Sequence, residues 1–192
     1  MTYLHRRAFL RVSSVVVVSA ASSFAVPALA KVAAPAVIGT KEIDCRTLVM
    51  NNLQSGEKLK ADYWVDGDYV PGELARLNKL LRDFRTDEVY PIDPKLLDFV
   101  HLLGNDVDAR SGFEIICGYR SPATNEWLRK ESSGVAEHSL HMKGQAIDLC
   151  APGRSLKKVH EAALNLRLGG VGYYPDSDFI HVDTGRVRRW TG

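Results

Sequence analysis

Ser139-Leu140-His141-Met142-Lys143-Gly144-Gln145-Ala146-Ile147-Asp148-Leu149-Cys150 is the stretch whose reading decides the fold. Its second half is a short apolar run interrupted by one carboxylate. Seven steps along a helix would set His141 and Asp148 about 10 Å apart, two turns along the axis. The two converge if His141 sits in a loop that turns at Gly144 into a strand bearing Asp148. Gly144 permits that turn, and Ala146 leaves room beside it. A carboxylate inside an otherwise apolar strand must be paired, hydrogen-bonded or bound to a metal.

Moving outward, Phe113-Glu114-Ile115-Ile116-Cys117 is a second short strand, leading through Gly118-Tyr119-Arg120 into a helix capped by Ser121. Downstream, Ser155 to Leu166 has helical spacing. Residues 169–174 and 179–183 then read as a hairpin around Pro175-Asp176-Ser177-Asp178. Upstream, two strand-like runs between Ile43 and Tyr63 flank the turn Gln54-Ser55-Gly56-Glu57. Leu74, Leu77, Leu80, Leu81 and Phe84 recur at helical spacing after Pro71. Asp93-Pro94 opens another helix, with Leu96, Leu97, Val100 and Leu103 on one face and Gly104 at its expected end. Helices come first and strands cluster later. This order predicts a single α+β domain over residues 43–192, an antiparallel sheet with flanking helices.

His181 lies in a setting like that of Asp148, inside Phe179-Ile180-His181-Val182. Two histidines and one carboxylate suit Zn2+, with a fourth position left for water. The same residues also read as satisfied strand histidines and a structural hydrogen-bond acceptor, and spacing alone does not separate the two readings.

Charge locates the protein more than it describes a ligand. The 192 residues carry 25 Lys+Arg and 23 Asp+Glu, a net of +2. Residues 1–30 hold Arg6, Arg7 and Arg11 and no acid, so the remainder has 22 bases against 23 acids. A near-neutral domain argues against a nucleic-acid partner. The leader has a positive start, an apolar stretch from Val12 to Val26 that is short and serine-rich for a membrane span, and Ala28-Leu29-Ala30 before a cut at Lys31. Arg6-Arg7 followed by Phe9-Leu10 resembles the twin-arginine signal, which implies the twin-arginine translocase as a partner in export. Residues 31–42 read as a flexible tether. The expected location is the periplasm, with membrane anchoring if the leader is not cleaved. Cys45, Cys117 and Cys150 allow at most one bridge, Cys117 to Cys150, or buried free thiols. None sits in a Cys-x-x-Cys pattern, which argues against thiolate metal binding.

Ser-x-His-x-x-Gly-x-Ala-x-Asp, with a strand histidine about thirty residues later, resembles the zinc D-Ala-D-Ala peptidase family, whose fold is shared with the hedgehog signalling domain. The resemblance is closer to that family's murein endopeptidase K branch. It rests on residues 48–53, 118–121, 141–148, 169–174 and 179–185, and on Trp190. It implies that His141, Asp148 and His181 hold Zn2+ and that Arg120 meets the substrate carbonyl oxygen or carboxylate. For the general base it offers Asp178, three residues before His181, or Asp183 two residues after. Asp183 is favoured because a strand would turn it to the histidine's face. Ser139 shapes the loop or orients the site, and His138 reads as a polar loop residue. The implied function is an exported zinc metallopeptidase that hydrolyses cross-links between peptidoglycan stem peptides. The alternatives are a D,D-carboxypeptidase on stem ends and a non-catalytic, zinc-stabilised wall-binding module.

Overall fold

A computed structural model describes residues 44–132 and 134–192; the expected leader (1–30) and tether (31–42) lie outside the described residues. The chain opens with a hairpin of β1 (Cys45–Asn52) and β2 (Lys58–Val65), followed by the two-residue β3 (Asp68–Tyr69). Helices α1 (Pro71–Leu80) and α2 (Pro94–Asp106) come next, each started by a proline. After β4 (Phe113–Cys117), α3 (Pro122–Glu131) begins at Ser121, whose hydroxyl accepts from Thr124 N. A 3-10 turn (Leu140–Lys143), β5 (Ala146–Cys150), α4 (Leu156–Leu166), β6 (Gly170–Tyr174), β7 (Phe179–Asp183) and β8 (Arg188–Thr191) complete the order.

The fold class is α+β, as expected, but the sheet is mixed. Its order is β3-β2-β1-β4-β5-β7-β6-β8, antiparallel except for β1 beside β4 and β6 beside β8. The first parallel pair follows from connectivity, because α1 and α2 lie between β1 and β4 and return the chain in the same direction. Two local expectations also shift, and one strand was not expected. The first helix stops at Leu80, and Phe84 is exposed under the Arg85 guanidinium instead of continuing the apolar face. Gly104 lies inside α2, where its bare backbone lets the Phe113 ring close in, and the helix runs on to Asp106. The last four-residue strand, β8, has too short an alternation to register as a pattern.

Alternation along β5 and β7 creates two faces. Ile147, Leu149, Ile180 and Val182 join Leu96, Val100, Leu103, Val159 and Ala163 from α2 and α4 in one core. Ala146, Asp148, Cys150, His181 and Asp183 point the other way. Strand β4 should continue this alternation, and a bulge interrupts it. Glu114 pairs with Cys150 and Ile115 with Leu149, but Cys117 rather than Ile116 stands opposite Asp148. The extra residue re-aims the strand exit and turns Cys117 onto the polar face. Among the described residues no helix is long and apolar enough to cross a membrane.

Candidate metal centre and its groove

One row of register partners crosses five strands: Cys117, Asp148, His181, Gly172 and Trp190. Above it lies the loop carrying His141. Ser139 starts the 3-10 turn by accepting from His141 N, and Gly144 ends it at φ +64. A side chain there would collide with the Pro91 carbonyl, so the turn read from the sequence is required twice over, by conformation and by space. Asp93 N donates to Gly144 O and Thr184 N donates to Gln145 O, which ties the loop to the domain.

The geometry brings His141, Asp148 and His181 together. His141 Nε2 is 3.2 Å from His181 Nδ1 and 3.3 Å from Asp148 Oδ1, and His181 Nδ1 is 2.8 Å from the same oxygen. All three residues are buried. Their outer contacts decide where the protons sit. His141 Nδ1 is 2.7 Å from the Gly118 carbonyl, which only accepts, so Nδ1 carries the hydrogen. His181 Nε2 is 3.0 Å from a carboxylate oxygen of Asp183 and donates to it. His181 faces a carboxylate oxygen on each side, and with its proton on Nε2 two nitrogen lone pairs and one carboxylate oxygen converge. Such a cluster calls for a cation. The same demand is visible in the ionisation equilibria. Burial lowers the affinity of His141 for a proton, but the Asp148 carboxylate and Cys117 overcome it and raise the pKa. Burial likewise raises Asp148, and the two imidazoles outweigh it and hold the carboxyl well below the usual range.

Cys117 enters this picture from the bulge. Its sulfur, His141 and Asp148 offer ligand atoms within 4.8 Å of one another. Burial raises its pKa, while the neighbouring His141 and Arg120 bring it down to a net lowering. The two-histidine, one-carboxylate set is the tighter of the two, and the thiol lies beside it. All three cysteines are free thiols. The lack of a Cys-x-x-Cys pattern argues against thiolate metal binding, and the bulge that brings Cys117 beside the cluster leaves no local signature in the sequence.

Arg120 reaches the same groove. Its guanidinium is 3.9 Å from Asp148, 3.6 Å from Cys117 Sγ and 3.3 Å from Asn125 Oδ1, and its buried Nε has no partner. A guanidinium with one weak ion pair and an orphan N–H is poorly satisfied by the protein itself. The two aspartates expected as general base are placed differently from each other. Asp183 does share the face of His181, but it is wholly buried and both oxygens are occupied. Oδ1 accepts from Gly170 N, Gly185 N and Arg188, and Oδ2 from His181 and Arg188. Burial raises its pKa, and bonds from His181 and Arg188 overcome this and hold it well below the usual carboxylate range. Asp178 is exposed on the turn before β7, in a left-handed conformation, and is not part of the groove wall.

The groove has a volume of about 470 Å3 and is walled by Arg120, His138, Leu140, Tyr174, Phe179, Arg188 and Trp190 around the three central residues. Asp148 is its one acidic lining residue, against two arginines. A smaller cleft of about 280 Å3, beside Thr47, His101 and Asn105, lacks any comparable cluster.

Comparison with known proteins places these features. Residues 40–190 match the family described as "Peptidoglycan L,D-endopeptidase MepK". The chain is similar to the protein of that name from Escherichia coli strain K12, 46% identical over 145 residues, which is 76% of this chain and 80% of the relative. The Shigella flexneri protein of the same name gives the same figures. A "Probable peptidoglycan L,D-endopeptidase MepK" from Haemophilus influenzae is 45% identical over 148 residues, 77% of this chain and 80% of its own length.

Proposed function

The chain belongs to the peptidoglycan L,D-endopeptidase family, and on that premise we propose a zinc-dependent hydrolase that cuts L,D peptide cross-links of peptidoglycan in the periplasm. The observation that carries the metal is the convergence of His141 Nε2, His181 Nδ1 and Asp148 Oδ1 within 3.3 Å, with the Gly118 carbonyl and Asp183 as acceptors beside the outer ring nitrogens. A nitrogen-nitrogen-oxygen set with a fourth side open to a groove suits a catalytic zinc ion. Bound there, the ion would polarise the scissile carbonyl and lower the pKa of a water molecule.

The chain's own groups supply the rest. Arg120 stands beside Asp148 with donors unused, and faces the negative charge that grows on the carbonyl oxygen as the amide is attacked. His138, at the groove rim, is the lining imidazole not committed to the central cluster. It takes the proton from the attacking water and returns it to the leaving amine. Asp183 has no lone pair to offer a water, and Asp178 stands outside the wall, so neither is assigned that step. Arg120 suits a substrate rich in carboxylates, as cross-linked stem peptides are. The twin arginines Arg6-Arg7 mark the chain for export through the twin-arginine translocase.

Digestion of purified sacculi tests the reading. Loss of cross-linked dimers is expected. Trimmed stem ends with intact dimers would instead identify a carboxypeptidase, and unchanged fragments would leave only a wall-binding module. A His141→Ala variant that keeps its full zinc content would contradict the ligand assignment.

A further inference from the structure

Two glycines of β6 open a trough across the sheet. Gly170 is the register partner of Arg188, and Gly172 of Trp190. A Cβ on Gly170 would stand 2.6 Å from both Arg188 Cζ and Asp183 Oδ2, and one on Gly172 would stand 2.7 Å from the Trp190 ring. The side chains of the edge strand β8 therefore lie flat over β6 and reach β7, two strands away. Arg188 grips both oxygens of Asp183 at 2.9 and 2.7 Å. Trp190 lies 5.2 Å from the His181 ring, under the Arg188 guanidinium at 4.9 Å, and its indole N–H donates to Tyr174 OH at 2.9 Å.

Asp183 is the hinge of this arrangement. A buried carboxylate that receives two backbone N–H groups and a bidentate arginine holds no proton and can only accept. When Nδ1, 2.8 Å from Asp148 Oδ1, gives its lone pair to a cation, Asp183 is the acceptor that holds the remaining ring hydrogen on Nε2. The ring thus stands between two carboxylates, Asp148 at 2.8 Å and Asp183 at 3.0 Å, and Asp183 competes with Asp148 for its proton.

We propose that Asp183 is a positioning residue, clamped by Arg188 across the Gly170–Gly172 trough, which fixes the tautomer and ring angle of His181 and so sets the metal affinity of the centre. The C-terminal edge strand is then part of the metal site although none of its residues is a ligand. This rests on the reading of His181 as a ligand, and the test separates the two.

Zinc affinity is measured by competition with a chromophoric chelator, alongside the 15N–1H ring signals of His181 and the melting temperature of the metal-free protein. Asp183→Asn presents an amide N–H₂ to His181 Nε2 and drives its proton to Nδ1. The expected result is a ring signal from Nδ1–H and zinc affinity reduced about 10–100-fold. Arg188→Met and Gly170→Ala lower affinity in the same direction, and Arg188→Lys restores part of it. Arg188→Lys and Arg188→Met keep the test open should Asp183→Asn fail to fold. A merely structural clamp would lower the melting temperature and leave affinity and tautomer alone, and that outcome overturns the inference. His181→Ala with undiminished affinity overturns the ligand reading and the inference together. His181→Ala losing zinc while Asp183→Asn and Arg188→Met retain it overturns the inference alone.

Discussion

At the scale of single residues, the groove separates groups that are already satisfied from groups that are not, and the unsatisfied ones are where chemistry is expected. Arg120 has an orphan Nε and only a 3.9 Å ion pair to Asp148. Replacing it with Lys keeps the charge and loses the planar set of donors. Arg120→Lys should lower kcat by about 10²-fold, as losing a donor to a developing oxyanion does, with KM changed much less. A loss confined to KM in assays on a soluble cross-linked dimer would make Arg120 a ground-state binder instead. The proton-transfer assignment has its own contrast. His138→Ala should reduce kcat by about 10²-fold with zinc content intact. Asp178→Asn keeps a residue that tolerates the left-handed turn and should stay within about threefold of the parent. The reverse pattern would return the base to Asp178.

At the scale of elements, Asp98 shows what holds the hairpin layer to the helices. From α2 it accepts from Arg46 on β1 at 2.7 Å, Tyr63 on β2 at 2.9 Å and Tyr69 on β3 at 2.7 Å. Burial raises its pKa, but the bonds from Tyr69, Arg46 and Tyr63 leave a net lowering. A carboxylate depressed in the folded state adds stability above its unfolded pKa, near 3.9, and loses it as pH falls through the folded value. Asp98→Asn should therefore cost about 1–3 kcal/mol at neutral pH, because it weakens a shared acceptor for a buried phenol. The difference from the parent should shrink in urea titrations taken toward pH 3, and a gap constant with pH would sink the electrostatic part. Elements held by local rules were legible in the sequence. Ser121, Asp93 and Ser155 cap the helices they were read to start, and Gly144 turns where it must. Features set by distant strands were not. The bulge that turns Cys117 to the polar face depends on pairing with β5, and β8 is four residues whose meaning comes from two glycines in another strand. The site divides in the same way: His141, Asp148 and His181 carry a readable motif, whereas the role of Asp183 depends on an arginine that approaches over β6.

At the scale of the whole molecule, the central cluster exists only when the sheet is complete. Its row draws on β4, β5, β7, β6 and β8, spanning Cys117 to Trp190. An unfolded chain has no such site, so metal binding and folding are coupled. A protein threaded unfolded across a membrane would have to gather its metal outside, in competition with other ligands there. One exported after folding can be loaded first. The positive excess of the sequence sits in residues 1–30, where Arg6 and Arg7 carry the proposed signal for folded export, and the remaining residues are nearly neutral. Substituting both, Arg6→Lys with Arg7→Lys, should leave a folded, zinc-containing precursor in the cytoplasm. Fractionation and metal analysis of the retained protein check this, since the described strands of the sheet all lie between Cys45 and Thr191. A double variant that reaches the periplasm at the parental rate would rule out the twin-arginine route. A retained precursor that is folded but metal-free would break the link between folded export and metal loading.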